Sequence, residues 1–181
     1  MLLSIPQEKI VLENDENIFD FSEEELMEYL EGLTVQELEV MANAIKSYDI
    51  IAIQEVVAGY GGSQAVSRLV SILNTKDSKW DYTISDPTTS SNPSSQERYA
   101  FIWKTSKVKK IGKAWLEKKY HLEIDREPYF CTFQFENKHF TVVNFHAITK
   151  KMQPETEIKY FKFFMNLHHL SLKNKKSYSV M

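Results

Sequence analysis

The chain has 181 residues and a mass of 21.2 kDa, which fits one domain with at most a short arm. With 43% hydrophobic and 26% charged residues it can build a core, and only five glycines and five prolines exclude collagen-like and low-complexity chains. Cys131 is the single cysteine, which excludes an internal disulfide and cysteine-based zinc motifs. No apolar run could span a membrane, and the first ten residues lack a secretory signal pattern. We therefore expect a cytoplasmic protein with no membrane partner.

The net charge of −3 hides a strong asymmetry along the chain. Residues 1–40 carry twelve acidic side chains and one basic one, for −11, whereas the rest of the chain carries +8. We predict an acidic N-terminal segment at 1–33, a domain at 34–170 and a polar tail at 171–181. A basic body of this kind can face a polyanion, although a solvated surface is the simpler interpretation of charge alone.

Helices are predicted where apolar residues recur at helical spacing behind a start signal. Ser-Glu-Glu-Glu at 22–25 and Thr-Val-Gln-Glu at 34–37 both have the form of a capping box. A loop at 59–62 precedes a further predicted helix at 64–74. Behind Pro154, a last helix is predicted with Ile158, Phe161 and Phe164 on one stripe.

Strands are predicted from short apolar or alternating runs. These runs lie at 50–53, 80–84, 99–103, 129–135 and 140–145. Asn137 between the last two predicts a hairpin turn. Helices and strands in this order predict an α/β domain with a mixed or antiparallel sheet and flanking helices.

Polar residues that end or flank these strands are candidates for chemistry. Glu55 follows the run at 50–53, where a carboxylate on a rigid element can hold a hard divalent cation; a solvent-facing strand end is the alternative. His146 follows the run at 140–145 and could move a proton if a carboxylate orients its ring. A hydrogen-bonded structural histidine is the alternative.

Two further charged residues lie beside predicted strands or turns. Glu97 precedes the strand at 99–103 and could pair with its neighbour Arg98 as an ordinary surface ion pair. Arg126 could clamp a phosphate with its planar guanidinium, or simply be neutralised by Asp125 and Glu127 on either side of it.

A lysine-rich stretch runs from 104 to 119 and is interleaved with Trp103, Trp115 and Tyr120. Lysines with interspersed aromatic rings are typical of proteins that bind single-stranded nucleic acid. A solvated hairpin is an equally good interpretation.

Four segments together resemble a known family. They read Asp-Ile-Ile-Ala-Ile-Gln-Glu-Val at 49–56, Ser-Gln-Glu-Arg-Tyr-Ala-Phe at 95–101, Arg-Glu-Pro at 126–128 and Val-Val-Asn-Phe-His at 142–146. Their wording and order resemble the deoxyribonuclease I-like branch of the endonuclease/exonuclease/phosphatase superfamily, over about 49–164.

The resemblance implies a four-layer α/β sandwich of two mixed sheets with helices outside. It also implies metal-dependent hydrolysis of phosphodiester bonds in DNA, with Mg²⁺ (or Mn²⁺ or Ca²⁺) as cofactor. Glu55 corresponds to the family's metal-binding glutamate, His146 to a catalytic histidine, and Glu97 to the glutamate that orients it. Arg126 corresponds to an arginine near the substrate phosphates. We expect Glu55 and His146 side by side at the rim of one sheet.

Several residues and motifs of the family pattern are missing from this sequence. Val57 and Ser95 replace an arginine and a DNA-stacking tyrosine, and Asn14 is the sole candidate for the asparagine of an early strand. The Gly-Asp-x-Asn motif and the terminal Asp-His pair of the family are missing after Phe164. We therefore expect the N-terminal half of the fold, with one apolar sheet face uncovered and a need for self-association or a partner.

Three functions remain open at this point. The first is a DNA endonuclease. The second is a truncated, inactive remnant or binding module of the same fold. The third is a phosphatase or sphingomyelinase-like esterase, which the segments at 97–99 and 126–128 disfavour.

Overall fold

A computed structural model describes residues 2–4 and 33–164 of the chain. The helices are α1 (Val35–Ile45), α2 (Tyr60–Asn74) and the single turn α3 (Glu155–Ile158). Three short 3₁₀ turns occur at Pro93–Ser95, Lys118–Tyr120 and Lys150–Met152. None of the helices in these ranges is long and apolar enough to cross a membrane.

Helix α1 begins where the second capping box predicted. The Thr34 hydroxyl accepts a hydrogen bond from the Glu37 N–H at 3.2 Å, and the Glu37 carboxylate accepts one from the Thr34 N–H at 2.8 Å. The box predicted at 22–25 and the early strand of Asn14 lie outside the described residues.

Helix α2 begins four residues earlier than predicted, so Tyr60, Gly61 and Gly62 form a helical turn and not a loop. A Cβ at Gly62 would lie 2.1 Å from the carbonyl oxygen of Val57. The glycine therefore lets the first turn pack directly on the end of the preceding strand, which is why a glycine-rich sequence is helical here.

The first sheet has four strands in the order β1-β2-β4-β3 and is called sheet A below. Its strands are β1 (Leu2–Ser4), β2 (Ile50–Val57), β3 (Trp80–Ile84) and β4 (Glu97–Lys104). The pair β1–β2 is parallel, and the pairs β2–β4 and β3–β4 are antiparallel. The expectation of a mixed sheet is confirmed.

The second sheet, called sheet B, has three antiparallel strands in the order β5-β6-β7. They are β5 (Lys109–Leu116), β6 (Tyr129–Phe135) and β7 (Lys138–Asn144). Glu136 and Asn137 form the two-residue turn of the β6–β7 hairpin, with Glu136 at a φ of 50°. The hairpin predicted at Asn137 is therefore confirmed.

Apolar contacts stack these elements into four layers. One core joins α1 and α2 to the outer face of sheet A. A second core lies between the sheets, where Tyr99, Phe101 and Trp103 of β4 meet Tyr129 and Phe133 of β6. A third core joins the outer face of sheet B to the segment that ends at Phe164. The four-layer α/β sandwich is confirmed for the described residues, but the expectation of two mixed sheets is wrong for sheet B, which is antiparallel.

The predicted uncovered sheet face is wrong. Phe101 is fully buried, and its ring lies 5.5 Å from that of Tyr129 and 6.0 Å from that of Phe133. Tyr129 and Phe133 of β6 cover this face, because β6 pairs with β5 and β7 in a second sheet that packs on sheet A. The expectation of self-association rested on an uncovered apolar face, and the described residues do not show one on sheet A.

The last helix also differs from its prediction. Helix α3 ends at Ile158, and the chain turns before it is helical again at 161–164. Phe161 and Phe164 pack on sheet B, but Ile158 is 51% exposed because the turn breaks the predicted stripe. The domain boundary predicted at residue 33 stays a prediction, although Leu2–Ser4 from the preceding segment pairs with β2.

Candidate active site

Glu55 lies in a β-bulge near the end of β2. The β2–β4 register shifts between Ile53 and Val56, and Glu55 has a φ of 58°. This left-handed backbone conformation is uncommon for a residue with a side chain and turns Glu55 out of the ordinary alternation of the strand. Its side chain is 34% exposed, so the carboxylate is open to solvent at the sheet end.

His146 follows the last residue of β7 and lies between two carboxylates. Its Nδ1 is 2.8 Å from Oε2 of Glu97, and its Nε2 is 3.5 Å from Oε1 of Glu55. Because a carboxylate only accepts hydrogen bonds, Nδ1 carries the proton that is donated to Glu97. In the neutral ring, Nε2 is then the nitrogen with the free lone pair, on the side of Glu55.

Glu97 orients His146 from a buried position at the start of β4. Its side chain is only 3% exposed, and its backbone N–H donates to the Thr88 hydroxyl at 3.2 Å. The Tyr99 hydroxyl accepts a hydrogen bond from the His146 N–H at 3.2 Å. Burial, together with the Glu97 charge, raises the pKa of Tyr99 far above its usual value.

Arg126 braces the segment that carries His146. Its Nε donates to the His146 carbonyl oxygen at 3.1 Å, and its Nη2 donates to that of Ala147 at 3.0 Å. Nη1 lies 3.7 Å from Oε2 of Glu97, and the side chain is 11% exposed. Arg126 is thus not simply neutralised by its sequence neighbours, and its guanidinium supports both members of the His146–Glu97 pair.

Buried carboxylates tie the loops around this cluster together. Glu127, which is fully buried, accepts hydrogen bonds from the N–H and the hydroxyl of Thr89. Glu157 accepts from the Asp125 N–H at 2.7 Å and from the Ile148 N–H at 2.9 Å. The loops on either side of Arg126 and His146 are therefore held by hydrogen bonds to charged groups, which are stronger than neutral ones.

Glu55, Glu97, His146 and Arg126 thus meet in one cluster, as the sequence motifs predicted. One detail of that prediction is wrong: Glu55 lies on sheet A, whereas His146 follows a strand of sheet B. The cluster spans the rims of two sheets because the sandwich places the end of β7 over the bulge of β2.

The lysine-rich stretch forms an edge strand and no aromatic platform. Trp103 is 2% exposed, and Trp115 stacks on Phe130 with ring centroids 5.3 Å apart. Tyr120 packs on Tyr160, so none of the three rings is presented for stacking on bases. The lysines remain, and three of them line a cleft of about 400 Å³ beside β3 (Lys110, Lys113 and Lys118).

Solved structures that resemble this chain include the following two. One is an endonuclease/exonuclease/phosphatase family protein from Leptotrichia buccalis C-1013-b, with 15% identity over 70% of this chain and a TM-score of 0.46. The other is a humanized D. rerio TDP2 with 14 mutations, with 14% identity over 75% of this chain and a TM-score of 0.45. The chain spans 53% and 51% of their lengths, about half of each. The sequence matches no protein-family model and no curated protein.

At these identities and TM-scores the likeness carries no argument about the family or the function of this chain. The layers and the cluster described above carry the argument about the site.

A divalent cation at this site would need oxygen ligands from the protein, from water or from a substrate phosphate. Within 33–164, where side chains are described, no group of three or more His, Cys, Asp or Glu residues could hold a metal ion. A cage of protein ligands is therefore not formed by these residues. The half-exposed Glu55 carboxylate fits the other kind of magnesium site, in which one or two carboxylates act with water and phosphate oxygens.

Three residues of the site were not singled out from the sequence. Tyr99 carries the hydroxyl that bonds to the His146 N–H, and Gln54 and Asn144 bond across the two sheets beside the cluster. A signal existed for the last two, because each polar residue directly follows an apolar strand segment, and a buried amide needs a partner. The sequence did not reveal which partner each would find.

Proposed function

We propose that this protein is a divalent-metal-dependent phosphodiesterase that cuts DNA internally. One observation carries the proposal: the His146 ring is held between the buried Glu97 carboxylate and the solvent-open Glu55 carboxylate, 2.8 Å and 3.5 Å away. A histidine oriented at one nitrogen by a carboxylate is suited to proton transfer at the other. The superfamily fold is consistent with this chemistry but does not carry it.

His146 and Glu97 would move the proton that hydrolysis requires. Attack of water on phosphorus forms a P–O bond and breaks the bond to the leaving sugar oxygen; one proton leaves the attacking water, and the leaving oxygen takes up a proton from solvent to become a hydroxyl. Nε2 of His146 accepts a proton from the attacking water, and the negative Glu97 carboxylate stabilises the resulting imidazolium through Nδ1. Burial of Glu97 strengthens this interaction because little solvent screens it.

Glu55 would hold the cation, which we propose to be Mg²⁺, with Mn²⁺ or Ca²⁺ as alternatives. When bound, such an ion offsets the phosphate charge and polarises the reacting phosphoryl group. Glu55 suits this role because its carboxylate is exposed at a rigid strand end. We also retain a substrate-phosphate role for Arg126, alongside its contacts to the His146 segment.

A plasmid-nicking assay in Mg²⁺ tests the proposal. We expect the parent chain to convert supercoiled plasmid to the relaxed form, and His146→Asn and Glu55→Gln to reduce the rate at least 10²-fold, roughly the range for a proton-transfer group. Chelation of the metal should abolish nicking by the parent. His139→Asn and Glu123→Gln, two exposed residues away from the cluster, serve as matched controls and should nick like the parent.

Nicking that survives both site substitutions would contradict the assignment. Nicking that survives chelation would contradict the metal requirement alone. RNA and a small phosphodiester, assayed in parallel, decide whether DNA is the preferred substrate.

The second candidate is a DNA-binding module without hydrolytic activity, and the lysine-lined cleft beside β3 favours it. A folded preparation that binds DNA in a salt-dependent manner, without nicking, would support this function. Lys113→Glu and Lys118→Glu should then weaken binding at low salt. These substitutions would leave affinity unchanged if the lysines only protect the edge of sheet B from pairing with another chain.

A further inference from the structure

The two amide side chains beside the cluster form a reciprocal pair of hydrogen bonds between the sheets. Nε2 of Gln54, the residue before Glu55, donates to the carbonyl oxygen of Phe145, the residue before His146, at 2.6 Å. Nδ2 of Asn144, two residues before His146, donates to the carbonyl oxygen of Ile53, two residues before Glu55, at 2.7 Å. Each bond therefore ends one or two residues from both reactive side chains.

Apolar residues of the core between the sheets lie beside these amides. Gln54 lies on the same strand face as Ala52, and Asn144 on the same face as Val142, and both of those residues belong to the core between the sheets. Gln54 is 8% exposed and Asn144 is 1% exposed. Hydrogen bonds in such a dry environment are strong, and they are directional in a way that apolar contacts are not.

Apolar contacts between two sheets permit several neighbouring alignments, because hydrophobic burial is non-directional. A shift of one sheet over the other by a single residue would move His146 away from Glu55, which it now approaches to 3.5 Å. The pair of amide bonds favours the observed alignment, since a shifted one would break both N–H···O bonds and leave two further buried donors without partners, in addition to Oδ1 of Asn144, which has no partner among the described residues.

We propose that Gln54 and Asn144 are positioning residues that set the gap between Glu55 and His146. This proposal rests on the proposed function for its catalytic consequence, but the positioning itself is measurable without activity. Neither amide touches the reacting atoms. Their effect is transmitted through the backbone of β2 and of the segment after β7.

The test compares nuclear magnetic resonance spectra of single and combined variants of the full chain, recorded without metal. Nitrogen-15 signals of the histidine rings are recorded, and His146 is assigned from the spectrum of His146→Asn. Glu55→Gln should shift the Nε2 signal of His146, because it removes a charge 3.5 Å away. In the Gln54→Met and Asn144→Leu backgrounds, which keep the side-chain size and remove the N–H donors, we expect that shift to fall by at least half.

Asn74→Leu is the matched control. Asn74 makes a similar pair of amide hydrogen bonds, to the backbone of Trp80 at the opposite end of sheet A. This variant should lose stability like the other two and keep the full response of His146 to Glu55→Gln. If Gln54→Met and Asn144→Leu do not fold, Gln54→Asn keeps the amide, shortens its reach and is tested in the same comparison.

A response of His146 that is unchanged in all three site backgrounds would overturn the proposal. In the nicking assay, the positioning variants should lower kcat by roughly 10²-fold with little change in KM, because a misplacement of about 1 Å can have that effect. If the parent does not nick at all, the proposed function fails, and the comparison of spectra still decides whether the amides position His146.

Discussion

Glu55 has an uncommon combination of a left-handed backbone and a charged side chain. Its φ of 58° suits glycine, since any Cβ in this region crowds the following backbone. Strained residues that persist in folded proteins cluster at functional sites, so the observed outlier itself points to a role for this carboxylate. The sequence shows the glutamate at a strand end, but nothing in it indicates the bulge.

Replacement of Glu55 by glycine should therefore separate stability from activity. We expect Glu55→Gly to raise the free energy of unfolding by up to about 1 kcal/mol, because relief of strain exceeds the added entropy of the unfolded chain. Nicking should be lost in the same variant. Urea denaturation followed by circular dichroism measures the first effect.

Val57→Gly is the control for Glu55→Gly. Val57 is also partly exposed, lies in the same strand and has an ordinary φ, so its replacement should destabilise the protein by about 0.5–1 kcal/mol. An equal loss of stability in both variants would show that the backbone at Glu55 carries no strain.

At the scale of single helices and strands, the sequence predicted best the features that depend on interactions within one turn. The capping box of α1 was readable because Thr34 and Glu37 satisfy each other's backbone. Strand β5 could not be predicted from the sequence, because lysines interrupt its apolar pattern (Lys109, Lys110 and Lys113). Gly112, at a φ of 69°, also accompanies a break in its register. Edge strands commonly carry lysines and bulges that prevent pairing with other chains, so the composition of an edge strand resembles that of a loop.

The α1 cap gives a prediction with a defined pH dependence. Thr34→Ala should lower the free energy of unfolding by about 1 kcal/mol at pH 7. The backbone and hydroxyl of Thr34 hold the pKa of Glu37 below its usual 4.5. A lowered folded-state pKa contributes stability above the unfolded value, which is lost as the pH falls through the folded value. Part of the Thr34→Ala penalty should therefore disappear on acidification below pH 4.5, as measured by urea denaturation.

Glu37→Gln provides the comparison for this acid dependence, because it removes the carboxylate whose pKa the cap lowers. A penalty for Thr34→Ala that stays constant down to strongly acidic pH would show that the Glu37 carboxylate does not contribute to the cap.

At the scale of the whole molecule, the sandwich depends on burial between the sheets. Local patterns predicted most of the helices and strands, whereas the four layers were implied by the resemblance to the superfamily. The local patterns did not predict that β5, β6 and β7 form a separate sheet that covers β4, because that pairing depends on long-range packing. The hydrogen bonds of Gln54 and Asn144 across the sheets could not be predicted from the sequence for the same reason.

Burial between the sheets predicts a loss of stability in alkali. It raises the pKa of Cys131 from 9.0 to about 12 and that of Tyr129 from 10.0 to about 12. Raised folded-state values favour folding fully below the unfolded pKa, and the benefit is lost as the pH rises through the folded pKa. The free energy of unfolding should therefore fall from about pH 9 upward, and less steeply for Cys131→Ala. Urea denaturation under reducing conditions tests this.

The comparison for the alkaline prediction is Tyr129→Phe, which removes the second group with a raised pKa and should also make the fall less steep. A slope for Cys131→Ala equal to that of the parent protein would exclude a contribution from the buried thiol.

The division of the cluster between two sheets has a consequence for protein synthesis. Glu55 and His146 are 91 positions apart, and the second arrives only with the β6–β7 hairpin. A nascent chain emerging from the ribosome therefore has the carboxylate long before the imidazole. Under the proposed activity, such a chain cannot damage the genome until the hairpin has been translated and has docked.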